Sequence, residues 1–263
     1  MTTIENIEVT VESGNPLAQV FVTIRASDGT TGQGEAWWGI PDRDMPGRSA
    51  LPIASTIENL ITPRLLGKKS GEIERHWFDL WDFGYRYADQ GIFLMGMSGV
   101  DIALWDLLAK QLGIPVVQIL GGQVHESIQA YASLPPLRDT DTVVAETQRA
   151  MEHGITAVKL HEVEATYVHV LRDTFGDELE IMVDVNGHFN LQEATAFGLD
   201  IRTRGITWFE EPIRPMRDHA TIKKVAVETG LPIAAGENEY TVSDFDKLLT
   251  SDAVTYLQPE ITK

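Results

Sequence analysis

The feature that most constrains this chain is a polar residue at the end of each of five successive β-rich runs. Lys159, Asp184, Glu210, Glu237 and Glu260 each stand at or just past the C-terminal end of such a run. They recur at steps of about 25 residues, which is one strand, one helix and a return. The runs are 127–134, 156–161, 180–185, 206–211, 232–237 and 253–258. Helical patterns such as 140–153, 191–204 and 241–250 lie between them. Single strands that alternate with helices imply a parallel sheet. In a (β/α) barrel every such strand end meets at one mouth. Acids scattered over a surface would not keep step with the strand repeat.

The first 124 residues follow another rhythm. Segments 4–12, 18–26 and 31–38 read as strands, and the Asp28-Gly29 turn joins the second and third into a hairpin. From about residue 45 to 122 the pattern is helical. Its strongest helix is expected over 96–112, with Ile102, Trp105, Ala109 and Leu112 as one stripe and Leu104, Leu107 and Leu108 beside it. Gly113 is a natural stop. The expected class is therefore α/β. An N-terminal α+β domain (1–124) precedes a (β/α)-barrel domain (125–263) with about six strands.

Composition narrows the function. The 263 residues include no cysteine, which excludes a disulfide framework and a thiol nucleophile. The formal net charge is −18. Such a surface repels phosphate backbones and anionic lipid, so neither nucleic acid nor membrane is an expected partner. The start of the chain lacks a basic segment followed by an apolar run. The most apolar stretch, 91–109, is interrupted by Asp101 and Asp106. A cytoplasmic protein is expected.

Asp184, Glu210 and Glu237 would meet at the mouth. Two unit charges 4 Å apart repel by about 4 kcal/mol at an effective dielectric near 20. With oxygen donors only, Mg²⁺ or Mn²⁺ is the expected neutralising ion. One such acid alone would more simply cap a following helix; three in register favour the metal. Lys159 and His161 are two apart on one strand and share a face. Beside an ammonium, His161 is expected to stay neutral and able to accept a proton. A strand-end lysine reaching water and a backbone-bonded histidine would explain the pair equally well. Asn186 shares strand parity with Asp184, and His188 follows in the same loop; both are candidates to contact substrate. Trp38, beside Trp37, is a candidate for an apolar lid or for packing within its own domain.

Several segments together resemble the mandelate racemase/muconate lactonizing group of the enolase superfamily. They are TGQGEAWWG (31–39), SGVDIALWDLLAKQLGIPVVQILGG (98–122), AVKLH (157–161), MVDVNG (182–187), WFEEPI (208–213), AAGENE (234–239) and LQPEITK (257–263). The resemblance implies a capping domain on a (β/α)₇β barrel with Mg²⁺ at the mouth. Asp184, Glu210 and Glu237 match its metal ligands. It also implies removal of the proton α to a carboxylate, and the glutamate of Gly-Glu-Asn points to the branch rich in acid-sugar dehydratases. A racemase, epimerase or cycloisomerase is the alternative chemistry. Two departures stand out. His161 occupies the place of the group's frequent second lysine. Glu260 occupies the place of an aspartate that pairs with a histidine on a seventh strand. Lys159, His161 and Glu260 are the expected catalytic residues.

The sequence closes just after the sixth strand. Residues 125–263 are far fewer than the roughly 250 of a closed barrel, so open strand edges are expected. The rest would come from a longer chain or from another subunit, and a homo-oligomer is expected. A catalytically silent binding module is the competing expectation. Specificity is expected in loops near 13–17 and 37–48.

Overall fold

A computed structural model describes residues 2–13, 18–39, 47–87 and 90–263. Of the loops expected to set specificity, residues 14–17 and 40–46 lie outside the described residues. Two compact units divide the chain: Met1–Glu126 together with Ile261–Lys263, and Ser127–Glu260.

The first unit opens with an antiparallel sheet of β1 (Ile4–Ser13), β2 (Ala18–Ala26) and β3 (Thr31–Ala36), in that order. Alternation decides which side is buried. Ala18, Val20, Val22, Ile24 and Ala26 of β2 point inward, and their neighbours face out or lie half-buried. The hairpin turns at Gly29, whose φ of 82° favours glycine. Helices α1 (Leu51–Thr56) and α2 (Thr62–Leu65) flank a π-helical turn at Ile57–Ile61. Then come α3 (Ile73–Gly84), α4 (Ile92–Leu112) and α5 (Val116–Ile119).

Helix α4 begins four residues before the expected start. Ala103 and, of the expected apolar residues, Leu104, Leu107 and Ala109 are buried. Ile102 and Trp105 are only half-buried, and Leu112 is exposed. The sheet makes this choice. Gly32 and Gly34 of β3 let the helix approach backbone to backbone. A Cβ on Gly34 would run into the Gly99 carbonyl oxygen and the Ala103 nitrogen. Asp106 is accommodated because its carboxylate accepts the Gln33 N–H at 2.7 Å. By length and hydropathy α4 is the one described helix that would suit a membrane, yet it serves as the core helix of this unit.

The second unit is a six-stranded parallel sheet. Its strands are β4 (Ala132–Ser133), β5 (Ala157–Leu160), β6 (Glu180–Asp184), β7 (Trp208–Glu210), β8 (Ile233–Ala235) and β9 (Tyr256–Leu257), in sequential order. The returns are α6 (Thr140–Glu152), α7 (Ala165–Phe175), α8 (Leu191–Ile201), α9 (His219–Thr229) and α10 (Val242–Ser251). This is an incomplete (β/α) barrel of the enolase type. Among the described residues, β4 and β9 each pair on one side only. The expected run 127–134 shrinks to two ladder residues for that reason.

Strand alternation divides the side chains between two environments. Val158, Leu160, Ile181, Val183, Phe209 and Ile233 point outward and join Leu171, Phe197, Ile201 and Val225 of the helices in one apolar core. This layer carries the hydrophobic stabilisation. The opposite parity carries Lys159, Asp184, Trp208, Glu210 and Tyr256. The starts of α6, α8, α9 and α10 carry side-chain caps, with Asn190 and Glu193 closing a capping box on α8.

A methyl group at Gly34 tests the close approach of β3 to α4. Gly34→Ala is expected to destabilise the first unit by about 3 kcal/mol, because backbone atoms must shift. Urea unfolding followed by far-UV circular dichroism reads the loss.

Candidate functional site

The site is built on three adjacent strand ends. The ladder sets Asp184 of β6 opposite Glu210 of β7. Lys159 of β5 reaches both. Its Nζ lies 2.9 Å from Glu210 Oε1 and 3.2 Å from Asp184 Oδ2. The lysine side chain is 9% exposed and each carboxylate 1%. Trp208, two residues before Glu210 and on the same face, donates its indole N–H to Glu210 Oε2 at 2.8 Å. The ring of Tyr131 packs edge-on to Trp208 and lies 5.7 Å from the Lys159 ammonium.

Burial alone would push Lys159 toward neutrality, but the charges of Asp184 and Glu210 outweigh it and hold the ammonium charged. Asp184 is buried too. The His161 hydrogen bond and the Lys159 charge overcome that penalty and keep it ionised below its ordinary range. Glu210 moves the other way, raised by burial and then by the Asp184 charge.

His161 sits just beyond β5. Its Nδ1 bonds the Leu134 carbonyl oxygen at 2.6 Å, and its Nε2 lies 3.3 Å from Asp184 Oδ2. The expected effect of Lys159 on His161 is outweighed here. Burial lowers its pKa, but the Asp184 hydrogen bond and charge more than restore it, and the net direction is upward. Lys159 opposes this only weakly. A carbonyl oxygen faces one nitrogen and a carboxylate oxygen the other, so the protonated ring can donate from both. The next residue, Glu162, is also buried. It accepts the N–H groups of Leu137 and Arg138 at 2.7 and 3.0 Å and pins the loop that supplies the Leu134 carbonyl.

Alternation predicts that Glu211 turns away from Glu210. A φ of 42° breaks the alternation at that residue. Glu211 is 1% exposed and accepts the Asn238 amide at 2.6 Å on Oε1. Its buried Oε2 has no hydrogen-bond partner. Burial, followed by the charges of Glu237, Asp184 and Glu210, pushes its pKa up to about 8. Glu237 is half-buried in the turn after β8 and acts on Glu211. The doubled glutamate before Pro212 was the sequence signal for this residue.

The other candidates stand as follows. Asn186 is exposed, with a φ of 43°, and only its backbone N–H reaches Asp184, at 2.9 Å. His188 is exposed and packs edge-on to Phe189 at 5.2 Å. Glu260 is half-buried three residues past β9. Trp38 belongs to the first unit and stacks on Trp37 at 4.6 Å.

Asp184 and Glu210 thus pair with the Lys159 ammonium, Asp184 also meets His161, and Glu211 stands near enough to feel Asp184, Glu210 and Glu237. Among the described residues, no three acidic or imidazole groups stand close enough to close on an ion as placed. The donor chemistry nonetheless suits a hard divalent cation. All donors are carboxylate oxygens, and one of them, Glu211 Oε2, is buried and unpartnered.

Comparison with known proteins gives a consistent picture. Residues 2–121 match the family model "Mandelate racemase / muconate lactonizing enzyme, N-terminal domain", and residues 142–263 match "Enolase C-terminal domain-like". The chain is similar to an arabinonate dehydratase of Saccharolobus solfataricus, 28% identical over 258 residues, covering 94% of this chain and 66% of that protein. It is also similar to a D-galactarolactone cycloisomerase of Agrobacterium fabrum, 30% identical over 253 residues, covering 93% of this chain and 64% of that one. The chain therefore spans just under two thirds of the length of these curated relatives. Among solved structures, the 3,6-anhydro-D-galactonate cycloisomerase of Zobellia galactanivorans superposes with a TM-score of 0.88 at 30% identity, covering 99% of this chain and 72% of that one. A racemase of Streptomyces coelicolor with bound magnesium superposes with a TM-score of 0.87 at 26% identity, covering 98% and 77%.

Glu211 gives the site a pH signature. Its folded pKa of about 8 lies above the ordinary 4.5, so its ionisation costs stability as pH rises between those values. In metal-free protein, Glu211→Gln is expected to raise the melting temperature by several degrees at pH 8.5 and to leave it unchanged at pH 4. Thermal melts at the two pH values check this.

Proposed function

This chain belongs to the mandelate racemase/muconate lactonizing enzyme family of the enolase superfamily, and we propose that it serves a Mg²⁺-dependent enzyme acting at the carbon α to a carboxylate. The reaction we assign is dehydration of an acid sugar. The observation that carries the reading is the buried Lys159 ammonium between Asp184 and Glu210, with His161 on the far side of Asp184.

Asp184, Glu210 and Glu237 would hold the ion, and Mn²⁺ suits the same oxygen set. When bound, the ion polarises the substrate carboxylate and acidifies its α-proton. Lys159 is kept charged by its two partners, so it acts as a fixed positive charge toward an anionic substrate and not as a base. His161 is oriented by the Leu134 carbonyl, which leaves Nε2 as the atom that moves a proton. Asp184 favours its charged form, so the ring is suited to holding a proton taken from substrate. The neutral ring takes the α-proton at Nε2, the electron pair left at the α-carbon expels the β-hydroxyl, and that oxygen departs as water with the same proton returned by the imidazolium. The resulting enol tautomerises to a 2-keto acid. Asn186 and His188, on the exposed turn after β6, are assigned to substrate contacts, and Glu260 to the catalytic group. The reading also carries a cytoplasmic location and a homo-oligomeric state.

Cycloisomerisation or racemisation is the second reading. It shares the first proton removal, and it is favoured by relatives that bear those names.

Incubation with Mg²⁺ and a panel of acid sugars, followed for 2-keto acid, tests the proposal. Turnover of at least one acid sugar is expected. His161→Asn should lower it by about 10²–10⁴-fold, and Glu237→Gln should abolish it together with metal binding. No product, with melting indifferent to Mg²⁺, would overturn the reading in favour of a non-catalytic module. Full metal retention by Glu237→Gln would remove Glu237 from the ligand set.

A further inference from the structure

Two residues beyond Glu237, the chain buries a second glutamate that the mechanism does not use. Glu239 is 4% exposed. Both of its carboxylate oxygens are engaged from the turn after β7 and the start of α9. Arg217 Nε–H donates to Oε2 at 2.9 Å, and His219 Nε2 bonds Oε1 at 2.7 Å. Arg217 then continues across. Its second arm lies 2.7 Å from Asp244 Oδ1. Asp244 closes the capping box of α10 with Thr241. One guanidinium therefore ties together the turn after β7, the turn after β8 and the first turn of α10.

Glu237 stands inside the segment so tied. Behind it is Gly236, whose φ of 138° favours glycine and where a Cβ would crowd the Gln258 backbone and the Phe245 ring. Ahead of it, Asn238 donates to Glu211 Oε1 at 2.6 Å. The turn that carries Glu237 is therefore tied on one side through Asn238 to Glu211 and on the other through Glu239 to Arg217 and His219. The charge-assisted bonds of Glu239 fix that second tie, since a paired, buried carboxylate cannot leave its guanidinium without a large desolvation cost.

We propose that Arg217 and Glu239 form a positioning clamp that holds Glu237 at the metal site. Affinity for the divalent ion then depends on two residues that never touch it. The proposal rests on the reading above, in which Glu237 is a metal ligand. Loss of an outer partner of this kind typically costs about 10–100-fold in metal affinity.

The test is a calorimetric titration of Mn²⁺ into the full chain. The variants are Glu239→Gln, Arg217→Gln, the double variant and Arg217→Lys. Arg204→Gln serves as the control, since it breaks the exposed Arg204–Asp173 pair, 2.8 Å long, in the same unit. Glu239→Gln and Arg217→Gln are each expected to weaken Mn²⁺ binding at least about 10-fold. The double variant should be no worse than either, because the two act as one device. Arg217→Lys keeps the charge but cannot span Glu239 and Asp244 together, so it should fall between wild type and Arg217→Gln. It also keeps the test open should the glutamine variants unfold. Arg204→Gln should bind like wild type. A lowered melting temperature with unchanged Mn²⁺ affinity in the clamp variants would overturn the clamp and leave the ligand reading standing. Failure of the wild-type chain to bind Mn²⁺ would overturn both.

Discussion

The Lys159 ammonium, buried between Asp184 and Glu210, sets the terms for the whole C-terminal unit. Removing one member of such a group leaves an uncompensated buried charge, at a cost of about 3–5 kcal/mol. The three residues stand on neighbouring strands, so their pairing also fixes the lateral order of β5, β6 and β7 at the mouth. The outer face of the same strands is apolar and packs on the helices. Stability and chemistry are thereby separated by strand parity. The helices cover the layer that folds the unit, and the opposite face is free to concentrate charge.

Concentrated charge needs backbone geometry that ordinary strands do not offer. Arg138, Asn186 and Glu211 all have positive φ values, and all lie just beyond strands of the parallel sheet. Each bends the chain where a side chain or an N–H must be re-aimed. At Glu211 the bend turns a residue that should face the helices toward the acids. At Asn186 it delivers a backbone N–H to Asp184. The buried Glu162 and the Arg217–Glu239 pair then tie the neighbouring loops.

Much of this architecture was legible in the amino-acid sequence, for physical reasons. A polar residue at a fixed phase of a strand–helix repeat has one simple geometric meaning, so Lys159, Asp184 and Glu210 could be found together. Motif resemblance added the family and the chemistry. What stayed hidden depended on local backbone or on net electrostatics. Strand alternation places Glu211 on the wrong side, because it assumes regular φ values. The charge state of His161 depends on whether Asp184 or Lys159 acts more strongly on it, and only distances decide that. Ile102, Trp105 and Leu112 of α4 are less buried than the hydrophobic pattern suggests, because Gly32 and Gly34 draw the helix toward the sheet along a line that pattern does not encode. Glu239 closes the AAGENE segment but had no role assigned from it, and Arg217 lies in none of the quoted motifs.

The most direct measurement is anomalous diffraction from crystals of the chain grown with Mn²⁺. The account predicts a single strong peak at the strand ends, bonded to carboxylate oxygens of Asp184, Glu210 and Glu237. Absence of a peak there, with Lys159 still bridging Asp184 and Glu210, would contradict it.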